Sequence, residues 1–126
     1  MHKSRLVDIV IDCQDADIEK AGSFWGSVFG YELHRFTDPA DANYIRLVAP
    51  SGGPRMLVQK VTHTSRVHLD IETNDIDAEV ERLEKLGAKR IEQVREWWIL
   101  EAPTGHRFCV LPPQTKDFEK NATKWP

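Results

Sequence analysis

Two matched pairs of segments decide the fold. Asp15-Ala16-Asp17 follows the apolar stretch Leu6 to Cys13, and Asp75-Ile76-Asp77 follows the alternating stretch Arg66 to Glu72. Ala49-Pro50-Ser51-Gly52 is answered by Ala102-Pro103-Thr104-Gly105. In each half of the chain the acidic triplet stands at a helix entrance. The Ala-Pro-(Ser/Thr)-Gly motif stands at the turn into the last strand. Agreement in both slots marks an internal duplication.

Working outward, each half reads β-α-β-β-β. In the first half Leu6 to Cys13 is β-branched and apolar, with Asp8 and Asp12 embedded, as a strand would be. Asp15 and Asp17 offer an N-cap, and Ile18, Ala21, Phe24, Trp25, Val28 and Phe29 recur at helical spacing up to Gly30. Tyr31 to Phe36, Asn43 to Ala49 and Arg55 to Val61 read as strands, separated by Pro39, Pro50 and Gly52-Gly53-Pro54. In the second half Arg66 to Glu72 is a strand and Asn74 or Asp75 a cap. Ile76, Val80, Leu83 and Leu86 make a helical stripe ended by Gly87. Strands follow at Lys89 to Arg95, Trp97 to Ala102 and Arg107 to Leu111, and Pro112-Pro113 closes the pattern. The polar tail beyond carries Phe118 and Trp125 as docking anchors.

One such half is too small to bury its own sheet. The expected fold is therefore α+β: two tandem βαβββ modules, about 5–61 and 66–112, with a tail at 113–126. They would form a curved mixed sheet around a cleft, with the helices outside. The 126 residues match a single domain, for which roughly 100–150 is usual. The cleft is the default place for function.

Composition narrows the classes. A 40% hydrophobic and 29% charged chain is globular rather than disordered. The longest stretch without a formal charge, Ala21 to Tyr31, falls short of the about 20 apolar residues a membrane helix needs. Asp8 and Asp12 interrupt the N-terminal apolar run, which argues against a secretory signal. The net charge of −3 and the lack of a basic run argue against nucleic acid as a partner. Cys13 and Cys109 form no CxxC pair and read as reduced thiols in a cytoplasmic protein.

The chain resembles the vicinal oxygen chelate superfamily, which holds glyoxalase, bleomycin-resistance and dioxygenase relatives. It looks most like the small glyoxalase-like proteins of bacteria. The residues that carry the likeness are Asp12-Cys13-Gln14-Asp15, Phe24-Trp25 and Phe29-Gly30-Tyr31 in the first half. In the second they are Arg66-Val67-His68-Leu69-Asp70-Ile71, Val80 to Ala88, and Ala102-Pro103-Thr104-Gly105-His106-Arg107-Phe108-Cys109-Val110. The likeness spans about residues 5–112.

The resemblance implies four cleft-facing slots, two per half, that hold a divalent metal in metal-using relatives. They fall on Asp8, Gln59, His68 and Cys109. Asp8 stands where a histidine is more usual and Cys109 where a glutamate is expected. Gln59 depends on a register that Gly53-Pro54 could shift by one, which would turn it to the other face. A lone histidine does not supply the two-histidine, one-carboxylate set of iron oxygenases, so ring cleavage is not expected. Zn²⁺ could accept Asp8, His68 and Cys109 together. Zn²⁺ or Ni²⁺ is thus the weaker alternative to a metal-free site.

Read as residues, Asp8 and His68 occupy the same slot of the repeat, and pairing would satisfy two buried polar groups at once. They are the candidate catalytic pair for proton transfer in a lyase or isomerase. Gln59 and Cys109 join them at the floor of the cleft. Tyr44, Met56 and one of Trp97 and Trp98 are its walls, because adjacent strand residues face opposite ways. Cys109, between Phe108 and Val110, also suits plain packing. Arg46 could hold a carboxylate or phosphate, or simply be solvated. A small organic molecule is the expected ligand. The alternative is a metal-free protein that sequesters a drug or metabolite, in the manner of bleomycin-resistance relatives. A homodimer is expected from the resemblance.

Overall fold

Nine strands of mixed pairing and three α-helices give an α+β fold, in a computed structural model that describes all 126 residues. In chain order the elements are β1 (Lys3–Gln14), α1 (Ile18–Phe29), β2 (Glu32–Arg35), β3 (Tyr44–Val48), β4 (Arg55–Val61) and β5 (Arg66–Thr73). Then come α2 (Ile76–Lys85), β6 (Lys89–Val94), β7 (Trp97–Glu101), β8 (Arg107–Leu111), α3 (Phe118–Asn121) and β9 (Thr123–Lys124). Two compact units emerge. A contiguous unit is Asp8–Val67, and a composite unit joins Met1–Val7 to His68–Pro126. Strand β1 runs through both.

In the contiguous unit the strand order is β2-β3-β4-β1, with β1 and β4 parallel and the others antiparallel. Asp17 caps α1, its carboxylate accepting from the Glu19 and Lys20 amides at 3.0 and 3.2 Å. Gly30 ends the helix with φ 74°, a left-handed backbone that costs glycine little. Ile45, Leu47 and Val58 form the core beneath α1, with Cys13, Ile18, Ala21, Trp25, Leu33 and Met56 packed on it. The expected helical stripe is only half used. Phe24, at 60% exposure, and Val28 lie on the outer side of α1, which is apolar over more of its surface than the sheet can cover.

In the composite unit the order is β5-β8-β7-β6, with β5 and β8 parallel. Asp75 caps α2 through the Ala78 amide at 3.0 Å. Val80, Leu100 and Val110 form the core, joined by Ile76, Leu83, Ala88, Trp98 and Phe108. Leu86, expected in the α2 stripe, is exposed at the helix end, where the chain turns toward Gly87.

The tail is more ordered than its polar letters suggest. Phe118 of α3 is buried, and β9 pairs antiparallel with the start of β1. Arg5 ties the tail down, donating to Glu72, Thr115 and Asp117. Trp125 Nε1 donates to Ser4 Oγ, and the Arg82 guanidinium lies over the Trp125 ring at 3.7 Å.

Candidate functional site

Alternation along each strand sorts the residues by face. In the composite unit Phe108, Val110, Trp98 and Leu100 pack toward α2. Cys109, between the first two, points the other way. Asp70 stands opposite Cys109 in the β5-β8 register, and Ile99 of β7 stands on its other side. His68, Asp70 and Cys109 therefore share the helix-free face, with Trp97 two residues before Ile99. Trp98 is corrected from ligand wall to core residue, and it carries Arg90 over its ring. Trp97 keeps its place on the helix-free side.

His68 Nε2 lies 3.3 Å from Asp70 Oδ1, and the two side chains are 14% and 10% exposed. The Cys109 sulfur joins them, so that the three donor atoms all lie within 4.8 Å of one another. Imidazole, carboxylate and thiol thus meet on two neighbouring strands. Asp70 is not among the sequence candidates, although period-two alternation from His68 puts it on the same face.

In the contiguous unit the helix-free face carries Asp8, Asp12, Gln59, Tyr44 and Arg46. Gln59 stands opposite Asp12 and Tyr44 in the registers, whereas Met56 and Val58 pack toward α1. The turn at Gly53-Pro54 thus leaves Gln59 on the helix-free side. Met56 is corrected from cleft wall to core residue, because its register partners Ile9 and Leu47 face α1.

Asp8 is 2% exposed and faces Arg55 in the β1-β4 register. Arg55 Nε and Nη2 donate to its two oxygens at 2.7 and 3.1 Å. This fork pairs the carboxylate through both of its oxygens. Sequence reasoning misses Arg55, since nothing in the letters fixes which strand lies beside β1. Asp12, also buried, has His63 and Arg66 at 3.9 and 4.0 Å. Burial, joined by the Asp12 charge, raises the Cys13 thiol above its ordinary pKa despite an opposing hydrogen bond from Trp25. Cys13 packs against the core beneath α1. A shallow groove beside α1 is lined by Ser23, Gly26, Tyr31 and Leu33, and no candidate site residue borders it.

The implied metal can be tested against these donors. Zn²⁺ takes nitrogen, oxygen and sulfur ligands at about 2.0–2.3 Å, which sets tetrahedral donors roughly 3.3–3.8 Å apart. The His68–Asp70 spacing already meets that, and the Cys109 sulfur lies within 4.8 Å of both. His68, Asp70 and Cys109 would hold the ion. An ion there would polarise a ligand oxygen at its open position.

Several solved structures share this architecture. An NAD-dependent benzaldehyde dehydrogenase chain from Legionella pneumophila aligns with TM-score 0.65 and 10% identity, over 85% of this chain and 98% of that one. Methylmalonyl-CoA epimerase from Mycobacterium tuberculosis aligns with TM-score 0.56 and 16% identity, over 88% and 89%. A glyoxalase/bleomycin resistance/dioxygenase superfamily member from Vibrio splendidus aligns with TM-score 0.51 and 19% identity, over 85% and 98%. At such identities the likeness is one of fold, and the fold is that of the vicinal oxygen chelate class. Within it, the chain belongs to the glyoxalase-like domain family, whose model matches residues 8–111. No curated protein matches it.

Proposed function

We propose that this glyoxalase-like protein binds a small organic molecule at the helix-free face bearing His68 and acts on it as an isomerase or lyase by proton transfer. The observation that carries the reading is the approach of His68 to Asp70, two side chains largely withdrawn from water. A carboxylate beside the imidazole orients the ring and stabilises its protonated form, which suits it to carry a proton. His68 is the acid–base group in this reading, and Asp70 is its positioning residue. Asp8, expected from the sequence as the partner carboxylate, is also held by Arg55.

The test works whichever product forms. The protein is incubated in D₂O with a panel of carbon acids: 2-oxo acids, hydroxyketones and hemithioacetals. Proton NMR then follows deuterium incorporation at the carbon beside the carbonyl. Exchange should appear for one class and fall by about 10²-fold or more in His68→Gln. Exchange that survives this substitution sinks the assignment.

A second reading, sequestration of a drug or metabolite without chemistry, gains support from Arg55. The pair it makes with Asp8 neutralises a buried carboxylate and so weakens it as a base. It predicts saturable binding, no exchange, and a ligand recovered unchanged.

A further inference from the structure

The strongest unexplained group in the molecule is Arg46, in the middle of β3. Its Nε is buried and has no hydrogen-bond partner. The other arginines that are partly buried are answered by carboxylates: Arg5 by Glu72 and Asp117, Arg55 by Asp8, Arg82 by Glu79 and Arg107 by Glu101. Even the more exposed Arg35 and Arg90 meet Glu19 and Glu84. Arg46 stands apart from all of these. A buried N–H without an acceptor costs stability, so such a group persists where something outside the chain completes it.

Its surroundings narrow what that is. Arg46 lies between His34 of β2 and Leu57 of β4 in the registers, with Tyr44 two residues earlier opposite Gln59. All of them point away from α1. The acids of the same face do not serve it: Asp8 holds Arg55, Asp12 has His63 and Arg66 beside it, and Glu32 stands opposite Val48 at the strand edge. A guanidinium with an unanswered Nε, on a strand whose register partner is His34, matches an oxyanion, which accepts from Nε and one Nη together.

We infer that Arg46 is the recognition residue for an oxyanionic group, carboxylate or phosphate, on a small molecule held at the helix-free face of the contiguous unit. The inference shares with the proposed function the reading that the ligand is a small organic molecule, and it adds that a molecule held at this face is an anion.

The test uses the full chain labelled with ¹⁵N. The Nε–Hε resonance of Arg46, assigned by its loss in Arg46→Lys, is followed during titration with inorganic phosphate and, separately, with acetate. A saturable shift in one titration is expected, and which anion produces it decides between phosphate and carboxylate. Binding measured by calorimetry should weaken at least tenfold in Arg46→Gln and less in Arg46→Lys, with both variants showing the wild-type amide spectrum. No shift with either anion overturns the inference, and so does binding that is unchanged in Arg46→Gln. Should either variant misfold, His34→Gln gives a second reading of the same site, with weaker anion binding expected. Deuterium exchange is scored separately. Exchange that depends on His68 without any anion effect removes only the role of Arg46, whereas anion binding without exchange removes only the chemistry.

Discussion

The imidazole of His68 can hold a proton for transfer or a metal ion, but one lone pair cannot do both. With Asp70 and Cys109 beside it, a thiophilic cation has three donors ready. Added Zn²⁺ should therefore suppress deuterium exchange rather than support it. Titration with Co²⁺ should produce a near-ultraviolet thiolate-to-metal band that disappears in Cys109→Ser and persists in Asp8→Asn. A band lost in Asp8→Asn would return Asp8 to the ligand set. At this scale the sequence tells residue type and strand face but not strand neighbours. His68 and Cys109 are legible from their motifs, and Asp70 is within reach through alternation. Arg55 is hidden, because the register that sets it against Asp8 joins strands 47 residues apart in sequence. Met56 and Trp98 read as walls in the letters, because a large side chain in a strand looks the same from either face.

At the scale of elements, α1 depends on close approach. A Cβ on Gly26 would meet Leu33 Cδ2 at 2.8 Å and the Tyr31 carbonyl oxygen at 3.0 Å. The first neighbour can move, but the second is backbone. Gly26→Ala should destabilise the protein by about 1–3 kcal/mol, against the gain of up to about 1 kcal/mol that alanine brings to a helix. Urea unfolding measures the balance, and a stabilised variant would show that β2 yields. Helices and strands with strong periodicity and caps at Asp17, Asp75, Gly30 and Gly87 are readable to within a few residues. The tail is not. Helix α3 and strand β9 are too short to form by propensity and owe their order to Arg5, Ser4 and the burial of Phe118, all of which are tertiary facts.

At the scale of the whole molecule, acid should weaken the fold through named carboxylates. Burial pushes Glu79 upward, but hydrogen bonds from Arg82, Ser4 and His2 outweigh it and hold the group below its ordinary 4.5. Asp117 is drawn from 3.8 to about 2, chiefly by Arg5 and then by Asn121. Both pKa values are depressed on folding, so the stabilisation is complete above the unfolded values and is lost as pH falls through the folded ones. The melting temperature should thus decline below about pH 4.5, and Asp117→Asn should flatten the part of that decline nearest pH 2. Glu79→Gln should flatten the upper part and cost about 1.5–3 kcal/mol at neutral pH, since Arg82 and His2 lose a charged acceptor. A pH profile unchanged by these substitutions would move the acid sensitivity elsewhere. The composite unit has a further consequence for how the protein is made. The contiguous unit can close as soon as its last strand leaves the ribosome. The opening residues, already synthesised, must wait through that whole interval for their partners. Ser4 meets Trp125 only across 121 residues of chain. Until residues 72–79 emerge to meet His2, Lys3 and Arg5, the N-terminal segment is a strand edge open to other chains.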